Sequence, residues 1–98
     1  MLKKPKTRKT HLLLGSISTA WKANPTSPEY KSTPYWTLFV EVENLLSSTS
    51  QRVYVFPDQV PAGVIQTLQT QNYQGKKYYL ECEKRVRGWR LRNWKEVV

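Results

Sequence analysis

An all-β domain with one short helix, in the order β-β-β-α-β-β, is the fold class the sequence predicts, on three observations. Apolar side chains alternate with period two through Tyr35–Glu43 and again through Arg52–Phe56. One stretch, 59–72, instead spaces Val60, Val64, Ile65 and Leu68 near the helical period. Pro57, Gln74-Gly75 and Arg87-Gly88 stop or turn the chain between these patterns.

The 98 residues suit one core, about 13 Å in radius when folded. Residues 1–10 hold Lys3, Lys4, Lys6, Arg8 and Lys9 with Pro5 and no large apolar residue after Leu2, which reads as a basic arm ahead of a domain at 11–98. From His11 to Lys22, Leu12, Leu14, Ile17 and Trp21 mix with Thr19, and Gly15 interrupts them as a bend or bulge would. A long, bent first strand is expected there. Residues 24–34 carry Pro25, Pro28 and Pro34 and read as a loop, long enough to be functional rather than idle.

The second strand, Tyr35–Glu43, places Trp36, Leu38, Val40 and Val42 on one face and Tyr35, Thr37, Phe39, Glu41 and Glu43 on the other. After a polar turn at 44–51, Arg52–Phe56 alternates again, with Val53 and Val55 opposite Arg52, Tyr54 and Phe56, so these two strands should form a hairpin. Pro61 suits a first helical turn. Lys77–Val86 follows as a fourth strand with Tyr78, Leu80 and Cys82 inward, and Trp89–Val97 as a fifth.

Five strands, a helix between the third and fourth, and a glycine in a bent first strand resemble the oligonucleotide/oligosaccharide-binding (OB) fold, a five-stranded Greek-key barrel. The segment Gly75-Lys76-Lys77-Tyr78-Tyr79-Leu80-Glu81-Cys82 resembles the entry to the strand after the OB helix, and Trp89-Arg90-Leu91-Arg92-Asn93-Trp94 resembles the last OB strand. Barrels of SH3 type are comparably small but usually lack a full helix before strand four. The OB resemblance implies a ligand across the outer face of strands two and three, flanked by the loops joining strands one to two and four to five.

Parity along the strands bears on that face independently. If the apolar set fills the barrel, Tyr35, Phe39, Tyr54 and Phe56 point outward, where rings are costly in water unless covered, and stacked nucleobases cover rings well. The loop between strands four and five supplies Lys84, Arg85 and Arg87, and the last strand Arg90, Arg92 and Lys95, so six of the sixteen Lys and Arg fall within twelve residues. Stacking surface flanked by cations is how sequence-tolerant single-strand binders work. The chain thus resembles single-stranded DNA-binding and small primosome-type OB proteins. That resemblance implies binding of single-stranded DNA or RNA, DNA slightly favoured, with Tyr35, Phe39, Tyr54 and Phe56 stacking bases and Arg52, Lys84, Arg85, Arg87, Arg90 and Arg92 meeting phosphates. Glu41 and Glu43 share the face and would repel phosphates locally, and the acidic carboxyl-terminal tail of such proteins has no counterpart here. The alternative is an adaptor whose aromatics form a protein interface, a homodimer included, with the basic arm on RNA or an acidic partner.

A net charge of +9 with 39% apolar residues excludes a wholly disordered basic tail. Apolar runs such as Leu12–Gly15 and Val53–Phe56 are four residues long, far short of the roughly 20 residues of a membrane span. Cys82 is the single cysteine and His11 the single histidine, so neither an internal disulfide, a Cys/His metal set nor a Cys/His nucleophile pair can be assembled. Strand acids at spacing two, Glu41/Glu43 and Glu81/Glu83, more often balance nearby cations than do chemistry. No phosphate-cradling glycine loop occurs, and no enzyme or cofactor is expected. Trp21, Trp36, Trp89 and Trp94 read as core more than platform, Trp36 and Trp89 above all, with Trp94 open. A secretory signal would need Leu12–Ala20 as its apolar section, diluted by Gly15, Ser16, Ser18 and Thr19. A cytoplasmic or nucleoid-associated protein is expected, with organellar import the alternative because no acid precedes Glu29.

Overall fold

A computed structural model describes residues 10–23, 34–44 and 50–97. Residues 1–9 of the expected basic arm, most of the loop at 24–34 and the middle of the turn at 44–51 lie outside these residues. The strands are β1 (Thr10–Ala23), β2 (Tyr35–Val42), β3 (Ser50–Val55), β4 (Lys77–Arg85) and β5 (Gly88–Glu96), with helix α1 (Ala62–Thr70) between β3 and β4. They close into a barrel in the order β1-β2-β3-β5-β4, an OB-like arrangement. All neighbours are antiparallel except β3 and β5, which run parallel and register through Val53↔Trp89 and Tyr54↔Arg90.

The alternation of β2 and β3 sets the core. Leu38, Val40, Val42, Val53 and Val55 are buried, and Leu13, Ile17, Tyr78, Leu80, Cys82, Trp89 and Leu91 meet them from the other strands. Helix α1 adds Val64 and Leu68 to the same cluster, and Tyr73 follows from the turn beyond it. The helix is shorter than the 59–72 spacing suggests. Pro57–Gln59 forms a separate 3-10 turn, Pro61 is the extended residue before the helix, and Gln71 ends it in the left-handed region at φ 58°, donating to the Leu68 and Thr67 carbonyls.

Two glycines allow strands to approach more closely than a side chain permits. A Cβ at Gly15 would press on the Glu41 carbonyl and lie 3.0 Å from Val40 Cγ1. Gly88, at φ 152°, stands where a Cβ would be 2.6 Å from the Arg52 carbonyl oxygen, at the point where β5 comes alongside β3. The irregularity expected at Gly15 lies three residues on. Between Ile17 and Thr19 the register with β2 shifts by one, leaving Ser18 extra, and its hydroxyl donates to the Phe39 carbonyl at 3.0 Å. Gly15 is therefore a crossing point, and the bulge belongs to Ser18.

A second shift separates Glu81 from Cys82 along β4: Glu81 pairs with Asn93 but Cys82 with Leu91, so Arg92 is extra on β5. There the Asn93 side chain accepts from the Trp94 N–H at 2.8 Å. Where β2 leaves β1, the Asn44 amide acts as a substitute peptide, accepting from Leu14 N–H at 3.0 Å and donating to the Leu12 carbonyl at 2.8 Å. Among the described residues, no helix is long and apolar enough to cross a membrane.

Replacing Gly15 or Gly88 by alanine should destabilise the fold by about 2 kcal/mol or more, because backbone rather than a flexible side chain must yield. Urea unfolding of the two variants checks this; a loss under about 0.5 kcal/mol would show that the crossings tolerate a methyl.

Candidate nucleic-acid interface

The outward positions of β1, β2, β3 and β5 form rows across the sheet. Thr19, Phe39 and Arg52 make one row in register, and Trp21, Thr37, Tyr54 and Arg90 the next. Tyr35 lies beyond them on β2, with Phe56 following the end of β3. Tyr35, Phe39, Tyr54, Phe56, Arg52 and Arg90 are thereby brought together on one face, as parity requires.

The rings are not left facing water as expected. Each of the four is half-buried because the face packs against itself. Trp21 and Phe39 lie 5.3 Å apart between centroids, and the Arg52 guanidinium sits over the Phe39 ring at 5.3 Å. Tyr35 lies 6.2 Å from Tyr54 and 5.4 Å from Phe56, and the Arg90 guanidinium sits 4.7 Å over the Phe56 ring. Two ring clusters result, each with a guanidinium upon it. Thr37, between them and flanked in register by Trp21 and Tyr54, is only 4% exposed. From Phe39 to Tyr35 is four strand residues, about 13 Å.

Trp21 is the member that sequence reasoning missed. It is 40% exposed rather than core, because the Ser18 bulge reverses the parity that Leu13, Gly15 and Ile17 establish. The available signal is the polar pair Ser18-Thr19 after Ile17, which leaves Ala20 as the next inward residue. Trp36 is only partly buried where full burial was expected, whereas Trp89 is buried and donates from Nε1 to Gln51 Oε1 at 3.0 Å. Trp94, half-buried, stacks on Tyr78 at 4.5 Å.

Several of the cations expected to meet phosphates already have partners within the protein. Lys84 shares inward parity with Cys82 and lies 4.8 Å over the Trp89 ring, with His11 meeting that ring edge-on at 5.4 Å. Arg85 and Arg92 both address Glu83, at 2.8 and 3.8 Å. Arg87 is exposed in the turn between β4 and β5. Of the two acids expected to repel phosphates, Glu43 pairs with Lys77 at 2.7 Å, while Glu41 is exposed.

Burial, with the Glu81 carboxylate adding to it, pushes the Cys82 thiol up to about 12, so the nucleophilic thiolate is scarce at neutral pH. Burial and then Glu96 raise the Tyr78 hydroxyl as well. Among the described residues, no three His, Cys, Asp or Glu side chains are grouped to hold a metal ion.

Comparison with protein-family models, with curated proteins and with solved structures finds no match for this chain.

Trp21→Ala should cost under about 1 kcal/mol of stability and Trp89→Ala about 3 to 5, since only the second empties the core. Thermal unfolding of both variants measures this, and equal losses would place Trp21 in the core after all. Cys82 should resist thiol reagents at pH 7 in the folded protein and react promptly in denaturant; fast labelling without denaturant would contradict its burial.

Proposed function

We propose that this chain is a non-enzymatic module that binds single-stranded nucleic acid with little sequence preference, DNA slightly favoured over RNA. The carrying observation is the outward strip of two ring clusters, Trp21/Phe39 and Tyr35/Tyr54/Phe56, each with an arginine over a ring. Nucleobases stack on aromatic rings and on guanidinium planes alike, so such a strip offers π-surface to bases whose edges it does not read. Arg52 and Arg90 belong to that surface as much as to the phosphate contacts, since each already lies on a ring. Arg85, Arg87 and Arg92 flank it and meet the backbone. The separation of the clusters suits bases that are not adjacent along the strand. Bases within a duplex are paired and stacked on one another and cannot splay onto the rings in this way, which is the physical ground for preferring single strands.

Fluorescence anisotropy of a labelled strand of about 20 nucleotides, DNA and RNA in parallel with a duplex control, tests the reading. Binding should be at least about tenfold tighter to single strands, with log affinity falling against log salt at a slope of roughly −3 to −4 for four to six neutralised phosphates. A joint Phe39→Ala and Tyr54→Ala change should weaken binding by about tenfold or more. A joint Arg52→Lys and Arg90→Lys change keeps the charge but gives up the planar stack, and should cost about fivefold with the slope unchanged. Equal affinity for duplex and single strand with a full salt response would reduce the protein to a polyanion attractor. A stable homodimer indifferent to oligonucleotide would turn the aromatic face into a protein interface.

A further inference from the structure

Glu83 points outward on β4 and yet is only 9% exposed. Across the β4–β5 pairing its register partner is Arg90, the residue that lies over Phe56. Two residues along β4, Arg85 donates through Nη2 to Glu83 Oε1 at 2.8 Å. From β5, Arg92 Nη1 stands 3.8 Å from Glu83 Oε2 and 3.5 Å from Oε1 of Gln59, which the 3-10 turn supplies. One carboxylate thus sits among three arginines at the edge of the ring strip.

On a face that attracts polyanions, an acid here lowers the local potential. Stability alone is a weak reason for it, because removing a carboxylate from water carries a penalty that its ion pairs roughly offset. Arginine, however, has five N–H donors in a rigid fork, so a contact to Glu83 occupies one and leaves other terminal N–H groups to donate, although the Arg85 Nε–H is itself buried. Free arginines also lose considerable rotamer freedom when a ligand immobilises them.

We propose that Glu83 is a positioning residue of the nucleic-acid-binding face: its two carboxylate oxygens hold Arg85 and Arg92 beside Arg90 before the strand arrives, so that the guanidiniums meet the phosphate backbone already ordered. The assignment rests on the single-strand reading above and adds to it a residue that touches the ligand only through others.

Charge and positioning make opposite predictions for Glu83→Gln. Loss of one negative charge takes the net charge from +9 to +10, so plain electrostatics tightens binding of the labelled single strand. Positioning weakens it by about tenfold, the scale of ordering two rotamer-rich side chains on binding, with the salt slope unchanged. Repeating the substitution in a joint Arg85→Ala, Arg92→Ala background separates this from damage to the fold: there Glu83→Gln should no longer weaken binding. A loss that persists in that background, or a Glu83→Gln protein that binds as tightly as the parent or more so, overturns the assignment while the single-strand reading stands. A parent protein that fails to bind single strands at low salt removes that reading and the assignment with it.

Discussion

Closure of the barrel through β3 and β5 is the constraint on which the remaining features depend. The two strands run parallel and meet in only two registered pairs, Val53↔Trp89 and Tyr54↔Arg90. The first pair lies inside the barrel and the second outside it. So short a seam demands close approach, and Gly88 supplies it by leaving the Arg52 carbonyl room that a side chain would take. Once the seam forms, Trp89 is buried in the core and Arg90 is set beside Tyr54 and over Phe56. Without closure, β5 would bring neither its arginines to the face of β2 and β3 nor Arg92 to Gln59.

Two single-residue bulges then decide what each face carries. In β1, Ser18 interrupts the ladder, and its own hydroxyl meets the Phe39 carbonyl, so that polar group has a partner. Beyond it the parity is reversed and Trp21 turns from the barrel to the outer face, where it meets Phe39. In β5 the extra residue is Arg92, and beyond it Trp94 turns inward to stack on Tyr78. Each bulge moves one tryptophan, in opposite senses, and the same local device therefore builds both the outer ring strip and part of the packing at the barrel's end.

The outer face shows how a basic surface can hold many cations without leaving them free. Arg52 and Arg90 each lie over a ring of that face, Arg85 and Arg92 share one carboxylate, and on the inward side Lys84 lies over Trp89. Cation–π contacts of this kind contribute about 0.5 to 2 kcal/mol, depending on how far they are desolvated, and they also order long side chains that would otherwise sample many rotamers. The half-burial of Tyr35, Phe39, Tyr54 and Phe56 follows from the same packing. A face built in this way presents guanidiniums above aromatic rings.

Period two in β2 and β3 was enough, read alone, to assign Leu38, Val40, Val42, Val53 and Val55 to the core and to gather Tyr35, Phe39, Arg52, Tyr54 and Phe56 on the opposite face, because side-chain direction along an unbroken strand is a local property. The order of elements along the chain, with the helix between β3 and β4, was legible because hydrophobic period and turn residues are local as well. The places of Trp21 and Trp94 were not, since a bulge is defined only against the partner strand: within 10–23 only the polar pair Ser18-Thr19 signals the skipped residue, and nothing within 88–96 does. Nor could residue order alone join Glu83 to Arg92 and Gln59, which are brought together by barrel closure and a 3-10 turn. The sequence by itself determined the elements and the faces of its regular strands; the tertiary structure decided register, and with it which rings and which arginines share a surface, because register is a relation between strands that no single strand contains.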